Sequence, residues 1–359
     1  MRSPRSVNAV VTGLSLLVSL AIGEVVLRGF VTLPLRRVLP EVRYAPHPVR
    51  RFTLLPDQVA FSYAAPARID GRGFRVNGEA PPAPGERRVV LALGDSFTFG
   101  LGVRDEETWP AQLEQRVSEA LQHPVEVVNA GTISYGVFQE LDLLRTTGLA
   151  TRPRIVVHAL YWNDFMNAGP PPPGARPVVD GNGYFTWDQL SPPRGTIGRL
   201  TPLATSSSAL LFSVRQAASA LRRSGEALSE YGAVYKRFLS TGLTEQDWRP
   251  IEHFYWELRR LGEERDFAPF AVILPVSDLV TLDAPRTHAY PIAAREMLGR
   301  LGIPFLDAFA LWSELRDRSE YFLPEAADAH LNPAGYRLVA GALAKALLDD
   351  PLLRGRLQP

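Results

Sequence analysis

The chain has 359 residues, of which 46% are hydrophobic and 21% are charged, enough for one large folded domain with appendages or at most two domains. Its 39 Lys and Arg residues against 38 Asp and Glu residues give a net charge of +1, so charge gives no argument for a nucleic acid or a strongly acidic partner. The absence of cysteine excludes disulfides, thiolate zinc sites and a cysteine nucleophile.

The first thirty residues predict a membrane segment. Arg2 and Arg5 precede an uncharged apolar stretch from Val7 to Gly23, about the shortest length that crosses a bilayer. Such a segment is an uncleaved signal anchor or a cleaved signal peptide, and a buried N-terminal helix is the third alternative. Because no polar stretch separates it from the next apolar patch, we expect a transmembrane anchor at residues 1–30 and an exported chain.

Residues 31–86 contain many Pro and Arg residues and little periodicity, which predicts a lead-in segment that packs on the main domain. From residue 87 to about 350, apolar runs alternate with helical spacings, except for a Pro-rich and helical insertion at about 165–245. The apolar runs predict five strands, at Arg88–Leu93, Val125–Val128, Ile155–Leu160, Phe270–Leu274 and Phe305–Leu306. This alternation is typical of α/β proteins, so we predict a three-layer α/β/α sandwich around a five-stranded parallel sheet.

Polar residues follow the first three strands and precede the last helix, which we expect to begin at Pro333. Ser96 follows the first strand, Gly131 the second and Asn163 the third, while Asp328 and His330 lie in the loop before the last helix. Because the sites of open parallel sheets form beyond the carboxyl ends of the strands, we expect these side chains to meet.

Together these residues contain the parts of an acyl-transfer site. We predict Ser96 as the nucleophile, His330 as its base and Asp328 as the acid that orients the imidazole. The backbone N–H groups of Ser96 and Gly131 and the amide of Asn163 can bind the oxyanion. Each residue alone has an ordinary explanation, such as a helix cap, a turn or a surface loop, and the combination is what favours catalysis.

Other polar residues have simpler interpretations. We expect His158, inside the third strand, to be a packed core residue and Asp95 to hold the first loop by hydrogen bonds. His288 is an alternative base, although a loop histidine is the simpler reading. No His, Asp or Glu cluster has metal spacing and no glycine-rich phosphate loop follows the first strand, so we predict no metal and no cofactor.

Four short blocks of the sequence resemble the SGNH (GDSL-type) hydrolase superfamily. They are Gly94-Asp95-Ser96, Asn129-Ala130-Gly131, Asn163-Asp164 and the D-x-H-x-N-P run from Asp328 to Pro333. The resemblance covers roughly residues 87–164 and 268–348 and implies a flavodoxin-like fold, with Ser96, Gly131, Asn163 and His330 as the four name-giving positions. The stretch GDSFTFGLGV is similar to the membrane-tethered bacterial branch, which implies a catalytic domain in the periplasm or on the cell surface, or a secreted one after cleavage.

Two positions depart from the family pattern. The acid usually stands three residues before the histidine, but that position is Ala327 and the acid here is Asp328. The D-x-H order is similar to periplasmic polysaccharide O-acetyltransferases of the superfamily and to some of its esterase-like members. The third block usually has a glycine where this chain has Tyr161, which is expected to narrow the pocket.

The resemblance implies a serine esterase acting on an ester-bearing small molecule, lipid or glycan. Two alternatives stay open: an extracytoplasmic polysaccharide O-acetyltransferase, and a non-catalytic carbohydrate-binding or assembly protein. The sequence does not determine the oligomeric state.

Overall fold

The structure of the chain is a computed structural model. It describes residues 4–29, 40–63, 65–78, 87–166, 169, 178–185, 208–211, 213–214, 230–280, 282, 285–323 and 330–359. The chain divides into two units, one formed by residues 1–38 and 188–236 and the other by residues 39–187 and 237–359.

The first unit contains the long apolar helix α1 (Pro4–Arg28). Among the described residues it is the one helix long and apolar enough to cross a membrane, with a mean hydropathy of 1.7 over Val11–Arg28. Near its end, the carboxylate of Glu24 accepts hydrogen bonds from the Ser208 hydroxyl and the backbone N–H groups of Ala209 and Leu210, at 2.8–3.0 Å. The helix is therefore bonded to part of the predicted insertion.

The second unit begins with two antiparallel hairpins, which the sequence did not predict. Their four strands are β1 (Tyr44–His47), β2 (Arg51–Leu54), β3 (Gln58–Ser62) and β4 (Ala65–Ile69). The segment after β4 contacts the following sheet, where the N–H of Arg75 donates to the Asn129 carbonyl at 3.1 Å.

The central sheet has five parallel strands, as predicted. They are β5 (Arg88–Leu93), β6 (Val125–Asn129), β7 (Ile155–Leu160), β8 (Ala268–Ile273) and β9 (Phe305–Asp307). Their order is β6-β5-β7-β8-β9, so β5 lies between β6 and β7. All six residues of β7 are buried, because helices cover both faces of a parallel sheet and remove the need for polar alternation. The three strands that precede Ser96, Gly131 and Asn163 are thus adjacent at one edge.

Helices flank the sheet and complete the α/β/α fold. Their bounds are α2 (Ser96–Phe99), α3 (Trp109–Leu121), α4 (Val137–Thr146), α5 (Glu230–Thr241), α6 (Glu245–Arg265), α7 (Ser277–Val280), α8 (Ala289–Leu301), α9 (Ala308–Ser313), α10 (Pro333–Asp349) and α11 (Pro351–Leu357). Helix α3 packs against α10, and α4 packs against α6. The last long helix begins at Pro333, as predicted.

Candidate active site

Ser96 is the first residue of α2, directly beyond the carboxyl end of β5. Gly94 makes the turn with φ of 150°, a conformation that side chains disfavour, and a Cβ there would lie 2.2 Å from Thr98 Oγ1. Asp95 then caps α2, because its Oδ1 accepts the N–H of Phe97 at 2.8 Å. The expectation that Asp95 holds this loop by hydrogen bonds is confirmed.

His330 is brought to the same edge by the loop before α10. Its carbonyl accepts the N–H of Leu323 at 2.7 Å. Asn332 caps α10 by accepting the N–H groups of Ala334 and Gly335. With the backbone held on both sides, His330 Nε2 lies 2.7 Å from Ser96 Oγ, although the two residues are 234 positions apart.

Two aromatic rings support the imidazole of His330. Phe97 stacks on it, with ring centroids 4.3 Å apart and an interplanar angle of 18°, and the ring of Tyr161 contacts Phe97, with centroids 4.1 Å apart. Tyr161 is only 1% exposed, so its ring lies in the core beneath the site. Burial also lowers the pKa of His330 to about 3, so the imidazole is neutral near pH 7, and a negative partner is needed to stabilise it once it takes a proton.

The predicted acid, Asp328, lies outside the described residues. Among the residues that are described, His330 Nδ1 is buried and has no hydrogen-bond partner. A buried ring nitrogen without a partner is costly, and a carboxylate two residues away along the chain is a suitable acceptor for its proton.

Gly131 packs directly against the backbone of α2. A Cβ built on it would lie 2.1 Å from the nitrogen of Phe99 and 2.5 Å from the carbonyl carbon of Thr98, so only glycine fits. Its N–H donates to the side-chain Oδ1 of Asn129 at 3.1 Å. The predicted oxyanion donor is therefore beside the Ser96 helix, and its N–H must share or exchange this bond in order to bind a substrate oxygen.

Asn163 lies in the turn that follows β7. Two oxygens of Asp164 fix this turn: Oδ2 accepts the N–H of Tyr161 at 2.7 Å, and the main-chain oxygen accepts the N–H of Val137 at 2.9 Å. Asn163 is half-buried, and its Oδ1 has no hydrogen-bond partner within the described part of the chain. The turn places Asn163 beyond the carboxyl end of β7, and β7 is the neighbour of β5, the strand that leads to Ser96.

A fully buried polar cluster lies behind this turn, and sequence reasoning missed it. His158 Nε2 lies 2.7 Å from Glu140 Oε2 and 3.8 Å from Asp164 Oδ2, while its Nδ1 lies 2.7 Å from the Tyr255 hydroxyl. Burial and the carboxylates of Glu140 and Asp95 raise the pKa of Asp164 well above its usual range. His158 is buried, as predicted. Its partner Glu140, on α4, belongs to no sequence motif from which the pair could be predicted.

The remaining candidates have structural roles. His288 caps α8 by accepting the N–H of Tyr290 at 3.2 Å, and its Nε2 lies 3.2 Å from the Leu239 carbonyl, so neither nitrogen faces Ser96. The described residues contain no group of three or more His, Asp or Glu side chains that could hold a metal ion.

Comparison with known proteins gives a family match over most of the chain. The model of the GDSL-like Lipase/Acylhydrolase family matches residues 92–338. A search of curated proteins finds no match. The family match includes Ser96, Gly131, Asn163 and His330.

Solved structures that match this chain are distant in sequence. A lipase/acylhydrolase from Enterococcus faecalis is 13% identical with a TM-score of 0.42, and the alignment covers 76% of this chain and 98% of that one. An acetyl xylan esterase is 13% identical, covering 72% and 99% of the two chains, with a TM-score of 0.42. An α/β hydrolase enzyme from the metagenome of Lake Arreo, Spain, is 12% identical, covering 77% and 99%, with a TM-score of 0.42. On the family match over residues 92–338, the chain belongs to the GDSL-like lipase/acylhydrolase family.

Proposed function

We propose that the chain is a serine-dependent esterase that hydrolyses an acyl or acetyl ester through Ser96, His330 and Asp328. The observation that carries the proposal is the 2.7 Å contact between Ser96 Oγ and Nε2 of a buried His330. A serine hydroxyl is a weak nucleophile until a neighbouring base removes its proton, and this contact supplies the base.

In the first half-reaction, Ser96 Oγ attacks the ester carbonyl carbon while His330 Nε2 takes the hydroxyl proton. The resulting imidazolium is costly in a buried position, so it needs a negative partner at Nδ1. Asp328 is our candidate for that partner. When the tetrahedral intermediate collapses, His330 gives the proton to the leaving alkoxide, and the acyl group stays on Ser96.

The negative oxygen of the intermediate needs donors that are already in place. Ser96 is the first residue of α2, so no carbonyl within the helix accepts its N–H, and the positive end of the helix dipole lies at this residue. We assign the other two donors to the Gly131 N–H, shared with Asn129, and to the amide of Asn163.

In the second half-reaction, an acceptor takes the acyl group from Ser96. Water gives hydrolysis, and a sugar hydroxyl gives O-acylation of a glycan by the same chemistry. Incubation with an acetyl donor and acetyl-free glycans separates the two. We expect acetate release to exceed glycan acetylation, and acetylation that outpaces release assigns the chain to the transferase class.

The test of the nucleophile is a fluorophosphonate probe followed by peptide mass spectrometry. We expect one adduct, on the peptide that contains Ser96, and none in Ser96→Ala. The control Ser240→Ala removes an exposed serine and should label like the wild type. His330→Ala should lower kcat by about 10⁴-fold or more. Folded protein without an adduct refutes the proposal, and glycan binding without any turnover assigns the chain to the non-catalytic class.

We further propose that α1 is an uncleaved anchor that holds the catalytic domain outside the cytoplasm. Its 25 residues reach about 37 Å, longer than the roughly 30 Å hydrocarbon core of a bilayer. The bonds from Ser208, Ala209 and Leu210 to Glu24 support retention of the helix, because they give its end a partner within the chain. We expect the full-length mass in carbonate-washed membranes, and a soluble product that lacks α1 would contradict the anchor.

A further inference from the structure

Arg75 belongs to the segment before the sheet and lies outside the region that matches the family. Its side chain is completely buried. The guanidinium binds three main-chain carbonyls just after Ser96: Nη1 donates to Phe99 at 2.7 Å and to Gly100 at 2.5 Å, and Nη2 donates to Val103 at 2.7 Å. It also lies over the Phe99 ring, 4.7 Å from the centroid. A residue from the lead-in segment thus holds the end of the nucleophile helix.

The charge of Arg75 is neutralised inside the protein. Its Nε donates to Asp105 Oδ1 at 3.1 Å, and the second oxygen of Asp105 accepts Arg68 Nε at 2.9 Å. Nη2 also reaches the Pro66 carbonyl at 3.5 Å. Because all the N–H groups of the guanidinium face protein acceptors, Arg75 has none left for a substrate, and its effect on a reaction must act through the groups that it holds.

Helix α2 depends on such contacts, since a single turn of helix is unstable by itself. Its internal bonds are few: the N–H groups of Gly100 and Leu101 donate to the Ser96 carbonyl at 2.9 and 3.0 Å. The last carbonyls of a helix have no partner within it, and here Arg75 supplies one, with its positive charge at the negative end of the helix. Asp95 caps one end of α2 and Arg75 the other.

The same residue also holds the second loop of the site. The backbone N–H of Arg75 donates to the Asn129 carbonyl, and the side chain of Asn129 accepts the N–H of Gly131. Gly131 in turn contacts the backbone of α2. Arg75 is therefore bonded to both loops that meet at the Ser96 helix.

We propose that Arg75 is a positioning residue that sets the orientation of Ser96 and of the Gly131 loop. This role rests on the proposed function of Ser96. It makes the lead-in segment part of the catalytic apparatus. Arg75 lies outside the family-matched region, yet its side chain binds the carbonyls at the end of the nucleophile helix.

The test compares Arg75→Lys with Arg68→Lys. Both variants keep a positive charge near Asp105, so neither leaves that carboxylate uncompensated. Lysine cannot reproduce the planar fork that binds several carbonyls at once, and only the first variant loses contacts to α2. Arg68 bonds to Asp105 and to the Gly78 carbonyl and to no residue of α2.

We expect Arg75→Lys to lower kcat and the rate of fluorophosphonate labelling by about tenfold or more, with KM within about twofold, at a temperature where circular dichroism shows a folded protein. Arg68→Lys should keep both rates within about twofold. Equal losses in the two variants, or a wild-type labelling rate in Arg75→Lys, would overturn the positioning role.

A second readout does not depend on Ser96 chemistry. Hydrogen exchange of the peptide covering residues 96–103 should be faster in Arg75→Lys than in Arg68→Lys, because the amides of Gly100 and Leu101 lose the support of the fixed helix end. If wild-type Ser96 fails to label, the proposed function fails while this exchange difference still tests Arg75. Unchanged exchange in Arg75→Lys refutes the proposal whatever the labelling shows.

Discussion

Adding one methyl group at Gly131 should displace the nucleophile. The Cβ of alanine would lie 2.1 Å from Phe99 N, 2.5 Å from Thr98 C and 2.8 Å from Phe99 Cα, whereas ordinary contacts begin at 3.4 Å. All three atoms are backbone, so no side chain can rotate away, and α2 or the Gly131 loop must move by more than about 1 Å. Since φ of Gly131 lies outside the left-handed region, alanine can adopt its backbone conformation and the effect is purely steric.

The expected loss for Gly131→Ala is about 10²-fold in kcat, because a misplacement of about 1 Å in a catalytic group has that effect. Overpacking should also lower the free energy of unfolding by about 1–3 kcal/mol. Alanine retains the backbone N–H, so a loss of kcat reports the displaced helix and not a deleted oxyanion donor. The measurements are steady-state kinetics and urea unfolding.

The matched control is Gly299→Ala, which adds the same methyl group on the exposed side of α8, with no atom within 4 Å. It should leave kcat unchanged and stabilise the fold by about 0.5–1 kcal/mol, since alanine favours a helix over glycine. If Gly131→Ala retains wild-type kcat and stability, the steric reasoning is wrong.

Two more predictions concern buried histidines. Burial lowers the folded pKa of His330 to about 3, below the ordinary 6.5, so the unfolded chain binds more protons between these values and stability falls as pH falls. From pH 7.5 to pH 5, wild type should lose about 2 kcal/mol of unfolding free energy relative to His330→Gln. Parallel curves would show instead that a negative partner such as Asp328 offsets the effect of burial on the pKa. Removing His158 takes from the buried Glu140 its hydrogen-bond partner, so His158→Gln should cost about 1–3 kcal/mol in urea unfolding, against less than about 0.5 kcal/mol for His253→Gln on the exposed face of α6. An equally small effect at His158 and His253 would show that the hydrogen bonds of the buried cluster do not stabilise the fold.

The central sheet could be predicted because its strands are continuous apolar runs, buried on both faces. The predicted bounds of β5 and β7 match the structure, and those of β8 begin two residues late. The hairpins between residues 44 and 69 were missed for a physical reason. Arg51, Asp57 and Tyr63 have φ of 71°, 53° and 56°. These left-handed turn positions usually hold glycine or asparagine, so the sequence carries no hairpin signal there.

Sequence order could also place the candidate site at one edge of the sheet, and the structure brings Ser96 and His330 into contact there. It could not identify Arg75, because one arginine in an arginine-rich segment has no pattern that distinguishes it. Its importance comes from three carbonyls that are more than twenty residues away along the chain. Likewise, the bond between Asn129 and Gly131 depends on the conformation of a turn that the sequence does not specify.

The departure at Tyr161 shows how a family difference changes meaning in three dimensions. From the sequence, a tyrosine in place of glycine predicts a narrower pocket. In the structure the ring is buried and contacts Phe97, which stacks on His330. An aromatic layer beneath the imidazole limits its rotation and excludes water from one face, and both effects favour the neutral ring that a serine nucleophile needs. Tyr161 therefore acts on the base of the candidate site through Phe97, from the buried side.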